Sequence, residues 1–350
     1  MKFGLTFGLV QVPGMPLTYE QSVADLVSGA RDAEELGYDA VHMVEHHFQP
    51  DGYNPSPLIT LAAAAAVTER VALGTNILLV PLYNPMKLAE DVAVLDNLSH
   101  GRLVLGVAPG YVQEEFAGLM VPYEERFKRF EEALDLMQLA WKGEPFSFSG
   151  RFFEVPETRL SPAPVQAGGP PLWYGVSGPR LLRRAARRGA ALAISPRHTI
   201  AEVREHLRQY EEHCDEFGVH PVERPAMREV FVAETREEAE RIAAPAVTHL
   251  FKELYGKRSA KGERALTSDT GEVVSDHEQV DFANFKQRYI IGTPDDACEA
   301  VAQLRDELGT TELHCWMHMP GIAGEDAMRS ARLFAREVIP AFAETKEALT

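Results

Sequence analysis

The chain has 350 residues, 45% of them hydrophobic, with 52 acidic against 35 basic side chains and a formal net charge of -17. That length and apolar content suffice for one large core or two smaller ones, and the acidic balance argues against nucleic acid or an anionic membrane surface as main partner. No charged-then-apolar leader opens the chain, the run over 58–67 is too short to span a bilayer, and Cys214, Cys298 and Cys315 are odd in number and widely spaced; together these predict a cytoplasmic protein with free thiols and no metal site.

In chain order, 2–9 (KFGLTFGL) reads as a buried strand. Thr18 caps a helix whose apolar positions Val23, Leu26, Val27, Ala30, Ala33 and Leu36 keep helical spacing, and Gly37 ends it. A second strand, 40–44, runs into Glu45-His46-His47. An alanine-rich helix over 56–70 precedes an apolar strand over 71–80. Asn84-Pro85 opens a helix to Gly101, and 102–111 is a fourth strand. A helix over 127–142 and a proline-rich connection over 150–169 with a small hairpin follow. The later strands are predicted over 172–176, 192–195, 227–233 and 312–319, with helices over 180–188, 200–217, from Thr235, from Thr293, and over 326–342. Apolar rather than alternating strands, each followed by a helix, indicate a parallel sheet covered on both faces. Eight such units predict an α/β (β/α)8 barrel forming one domain over 1–350.

From about 245 to 290 the pattern degrades. The polar, glycine-punctuated part over 257–278 predicts a mobile lid inserted before the last helix-strand unit.

In such a barrel the active site lies at the C-terminal strand ends. Those ends carry Phe7 and Gly8, then Glu45, His46 and His47, then Asn76 and Ile77, then Ala108 to Tyr111 (with Gly110), then Val176, Ser177 and Gly178, then Ser195 to His198, and finally Trp316 to Met319. This is a roomy apolar mouth with few polar groups, suited to a planar heteroaromatic ligand. Glu45 and His47 share one face of a strand and His46 takes the other, so the three do not form a metal cluster. Two readings remain: paired histidines that orient Glu45, or a histidine in the pocket acting as hydrogen-bond donor or base. The turn Val176-Ser177-Gly178-Pro179 opens a helix, a place that favours phosphate, with Arg180, Arg183 and Arg184 nearby; an ordinary strand-to-helix turn is the competing reading. Rossmann, P-loop and nucleophile-elbow motifs are all absent.

The segments KFGLTFGL, ELGYDAVHMVEHHF, VALGTNILLVPLYNP, AEDVAVLDNLSHGRLVLGVAPGY and GTPDD occur in this order across most of the barrel. In them the chain resembles the bacterial luciferase-like, flavin-dependent monooxygenase family. The resemblance implies a TIM barrel that uses reduced FMN and O2 on a small organic substrate. The flavin would come from a separate flavin reductase, and the protein would be a homodimer paired through the helices after strands two and three. It maps the family's catalytic histidine onto His46, its phosphate turn onto Ser177 and Gly178, and its strand-three flavin contact onto Thr75, Asn76 and Ile77, with a cis peptide near Asn76-Ile77. One departure stands out: Ala108 and Pro109 occupy the places of a cysteine and a phosphate-holding arginine. Sister families with the same barrel use coenzyme F420 for hydride transfer, and others are non-catalytic flavin-binding subunits; both are rival expectations.

Overall fold

The computed structural model describes residues 1–8, 18–49, 52–261 and 265–343. Its strands are β1 (Lys2–Phe7), β2 (Ala40–Met43), β3 (Ala72–Leu79), β4 (Leu103–Ala108), β5 (Phe146–Ser149), β6 (Glu154–Thr158), β7 (Leu172–Tyr174), β8 (Ala191–Leu192), β9 (Pro225–Val232), β10 (Tyr289–Gly292) and β11 (Glu312–His318). All except the β5–β6 hairpin join one parallel sheet in the order β10-β9-β11-β1-β2-β3-β4-β7-β8. The ring closes where Ile194, just past β8, bridges Ala226 of β9, with Ile194 N donating to Pro225 O at 2.8 Å; β10 pairs with β9 alone and is a ninth strand outside the ring. A ring of eight parallel strands results, wrapped by helices, as the apolar strands required.

Several boundaries differ from the sequence expectation. β2 ends at Met43, so Glu45, His46 and His47 lie in the following loop, where the backbone is free to turn each side chain separately. β8 is only two residues long, because its extension bonds to β9 through Ile194 alone. The helix Gln113–Gly118 and the strand β10 were not anticipated; both are too short to show a period. The start of the last helix-strand unit agrees, with Thr293 capping a helix that has Pro294 at its first position.

The stretch over 245–290 is not structureless. The helix Arg236–Leu250 passes through Pro245 and continues as a π-helical turn, Phe251–Gly256, and a last turn, Lys257–Ala260. Phe251, Leu254, Leu266, Val274, Val280 and Phe285 are buried in a second apolar cluster against the strand ends. Val247, Leu250, Phe251 and Leu254 do keep helical spacing, but beyond a proline, whereas Leu266, Val274, Val280 and Phe285 lie too far apart to show a period. Residues 262–264 of the expected lid, Leu9 of the first strand, and Pro50 and Asp51 after the histidines lie outside the described residues.

The barrel interior is partly polar. His42 and His314 stack with ring centroids 3.7 Å apart, and Trp173 stacks on His314 at 5.2 Å. Gly74 makes room for this: a Cβ there would lie 2.2 Å from His42 Nδ1. Higher up, His318 packs on Phe7 at 4.4 Å, and neither of its ring nitrogens has a partner among the described residues. Burial pushes the His318 ring down to about 4. An unfolded histidine titrates near 6.5, so between those values the unfolded chain binds the extra proton and stability falls as pH falls. Glu229, pushed up to about 7 by burial, acts in the opposite sense. The test is therefore a difference: His318→Phe should flatten the loss of thermal stability between pH 6.5 and 4 relative to wild type, and an unchanged slope would count against a buried neutral ring.

Candidate active site

A cavity of about 290 Å³ opens at the C-terminal ends of the strands. Of the residues expected there, Glu45, His46, Asn76, Ile77, Ala108, Gly110, Tyr111, Val176 and Ser177 line it. Phe7, His47, Thr75 and Gly178 do not. Phe7 is core beneath His318, and the Thr75 hydroxyl donates to Gly106 O at 2.8 Å. Gly178 is the cap of the basic helix, at a φ of 92° that suits glycine. Arg180, Arg183 and Arg184 are also absent from the lining, and Arg183 pairs with Glu216 on the outer surface.

His46 is held from behind. Its Nδ1 lies 2.7 Å from Glu115 Oε1, on the helix Gln113–Gly118. That oxygen also accepts from His47 N at 3.1 Å. A carboxylate only accepts, so Nδ1 carries the proton and Nε2 is left as the basic nitrogen. Nε2 lies 3.4 Å from Tyr111 OH, and the Tyr53 and Tyr111 rings stand edge-on to the imidazole.

Glu45 has a different set of partners. Its Oε1 takes bonds from His47 Nε2 at 2.7 Å and Tyr83 OH at 2.6 Å, and its Oε2 from Leu79 N at 2.7 Å. Burial works against the His47 cation, but the bond and charge of Glu45, with Glu115 behind, outweigh it and raise its pKa. The Tyr83 phenol is raised too, first by burial and then by Glu45. Glu45 and His47 thus tie β2 to β3, while His46 faces the cavity.

The peptide between Asn76 and Ile77 is cis, where the resemblance placed one. Gly175 leaves room for the Ile77 side chain: a Cβ there would come within 2.3 Å of it.

Ala108 and Pro109 bring no charge to the cavity, but Arg126 does. Its guanidinium stacks over Tyr123 at 3.7 Å and Phe127 at 4.1 Å, and it donates to Tyr123 O at 2.9 Å. Its Nε is buried without a partner among the described residues, and burial lowers its pKa despite the neighbouring Tyr123 and Glu124. A cation with an unmet donor, in a cavity shared with Ser177, fits an anionic group such as a phosphate. Sequence reasoning missed Glu115, Arg126, Tyr53, Leu254 and Tyr255. For Arg126 a faint signal existed, since it follows the strand-four end within one short segment. Nothing local marks Glu115 as the buried acid of a histidine 69 positions away.

Comparisons with known proteins bear on this site. Residues 1–312 match the family described as luciferase-like monooxygenase. The oxygenase component of flavin-dependent trigonelline monooxygenase from Acinetobacter baylyi is 28% identical, over 99% of this chain and 97% of its own length. An F420-dependent glucose-6-phosphate dehydrogenase from Nakamurella multipartita is 28% identical over 91% of this chain and 92% of its own. Among solved structures, monooxygenase RslO1 from Streptomyces bottropensis superposes with a TM-score of 0.85 at 28% identity, covering 98% of this chain and all of that one.

Proposed function

The chain belongs to the luciferase-like monooxygenase family, and from that premise we propose that it is the oxygenase of a two-component system, taking reduced FMN from a separate reductase and using O2 on a small organic substrate. The observation that carries this reading is the polarity of the cavity: a stacked, under-bonded arginine in a cavity shared with Ser177, and the Glu115-backed His46 with its basic nitrogen turned inward. The full-length similarity to a flavin-dependent oxygenase component supports it.

When bound, reduced FMN supplies the electrons that activate O2. The chain's own residues do the rest. Arg126 and Ser177 would hold its phosphate. Ile77 would pack against its ring system. His46 Nε2 accepts or returns a proton at the reacting group, with Glu115 holding the imidazole in the tautomer this requires. Leu254 and Tyr255 close the apolar wall and keep water out.

The rival is hydride transfer with F420, supported by the dehydrogenase relative. Anaerobic absorbance titrations with reduced FMN and with reduced F420 separate the two: saturable binding of FMN and none of F420 is expected, and the reverse would replace this reading. Binding of FMN without any oxygen chemistry would indicate a flavin-binding subunit.

Two further outcomes follow. The insertion reaches over the site: Leu254 and Tyr255 line the cavity, and Arg258 and Lys261 pair with Glu114 beside Glu115 at 2.8 and 3.1 Å. Bound FMN should therefore protect the 257–278 stretch from trypsin. Equal cutting rates with and without saturating cofactor would show that the segment does not act as a lid. The helices Pro57–Ala65 and Pro85–Leu98 expose Ile59, Val94 and Leu98. We propose that these apolar side chains pair two copies. Sedimentation should give a dimer mass, which Ile59→Glu lowers to that of one chain; a monomeric wild type at micromolar concentration would refute the pairing.

A further inference from the structure

Below the cavity floor runs a line of hydrogen bonds that the proposed chemistry leaves unused. Glu312, at the start of β11, has its Oε1 3.1 Å from His314 Nε2. The other ring nitrogen, His314 Nδ1, lies 2.9 Å from Asn76 Nδ2. Glu312 and His314 are buried, and Asn76 reaches the cavity.

The donors and acceptors fix one another. A carboxylate only accepts, so His314 carries its proton on Nε2. Nδ1 is then an acceptor, and the amide of Asn76 must turn its NH2 toward it. That leaves Asn76 Oδ1, which takes no hydrogen bond from the described residues, as the amide atom still open to a partner in the cavity that Asn76 lines. The imidazole is packed against both neighbouring rings, with His42 stacked on it at 3.7 Å and Trp173 at 5.2 Å, while those two lie 5.6 Å from each other.

His42, Glu312 and His314 also bring one ligand-type atom each within 4.8 Å of one another. Yet the two imidazoles lie face to face, with planes 19° apart. Their lone pairs run parallel instead of converging on one point, as a tetrahedral metal site requires. The cluster is a hydrogen-bonding device.

We infer that Asn76 presents its amide oxygen, and not its NH2, to the cofactor, and so selects the reduced isoalloxazine, which carries N–H donors at ring positions where the oxidised form has bare acceptor nitrogens. This rests on the flavin reading of the site. Glu312 and His314 act through Asn76 as positioning residues. Their role is to set the direction of one amide, and with it the redox state of the cofactor that binds best.

Two measurements test this. The first is 15N NMR of the imidazoles in cofactor-free protein, where His314 should be protonated at Nε2 and bare at Nδ1; a proton on Nδ1 would overturn the inference. The second is the ratio of dissociation constants for oxidised and reduced FMN, measured anaerobically. Wild type should favour the reduced form, and Asn76→Leu and His314→Phe should each lose about tenfold of that preference, the worth of one hydrogen bond. If either variant fails to fold, the other and the NMR result still decide. Equal weakening toward both redox states, or an unchanged ratio, would overturn this inference alone. Failure of the wild type to bind FMN in either state would overturn the flavin reading and this inference with it.

Discussion

His46→Ala lowers product formation by about 10²–10⁴-fold, the usual contribution of a general acid-base group, while binding of reduced FMN changes little. The expectation comes from the geometry. His46 turns Nε2 into the cavity, and its Nδ1 is held at 2.7 Å by a fully buried carboxylate. Nothing in that arrangement grips the phosphate end of a flavin. His47→Ala should act differently: the loss of its bond to Glu45 loosens the join between β2 and β3 and shows first in thermal stability. Because the His47 pKa is raised, its contribution to stability is full below about 6.5 and is lost as pH rises through the folded value. If His46→Ala keeps normal turnover while His47→Ala loses it, the two roles are exchanged. Normal turnover in both would make the three residues structural.

Arg126→Ala weakens FMN binding by roughly 10–100-fold, the range expected for losing hydrogen bonds between charged groups in a partly buried site. Riboflavin, which lacks the phosphate, should bind the variant and the wild type alike. That contrast separates a lost phosphate contact from a damaged cavity wall, since Arg126 also covers the Tyr123 and Phe127 rings. Arg126→Lys should recover part of the affinity, because an ammonium keeps the charge without the planar fork. Equal weakening toward both ligands would assign Arg126 to packing.

The barrel was legible in the sequence because its strands are buried on both faces. Runs such as Val71 to Val80 have no polar side to confuse the reading, and capped helices such as the one opened by Thr293-Pro294 announce their starts. The insertion was not legible. Its buried residues, Leu266, Val274, Val280 and Phe285, are widely spaced and gain their burial from the helical extension over 251–256 and the strand ends together. At the site, the clustering of Glu45, His46 and His47 was visible, and so was the separation of His46 from the other two. The strand argument reached this separation although β2 stops at Met43; hydrogen bonds to Glu45 and Glu115, not the pleat, hold the side chains apart. The partners Glu115, on a six-residue helix, and Arg126, at the start of a 15-residue one, were hidden because a charged residue in such a place looks solvated until the fold closes over it. The same holds for Asn76, whose amide direction depends on two residues more than 230 positions away.

The most direct test of the account follows the oxygen atom. The purified protein, supplied with chemically reduced FMN under 18O2, is mixed with a pool of small cellular metabolites, and the pool is searched by mass spectrometry. The account predicts a product that carries one atom of 18O, formed by the wild type and strongly reduced with His46→Ala. A pool without label, together with substrate oxidation that depends on F420 and proceeds without O2, would contradict it.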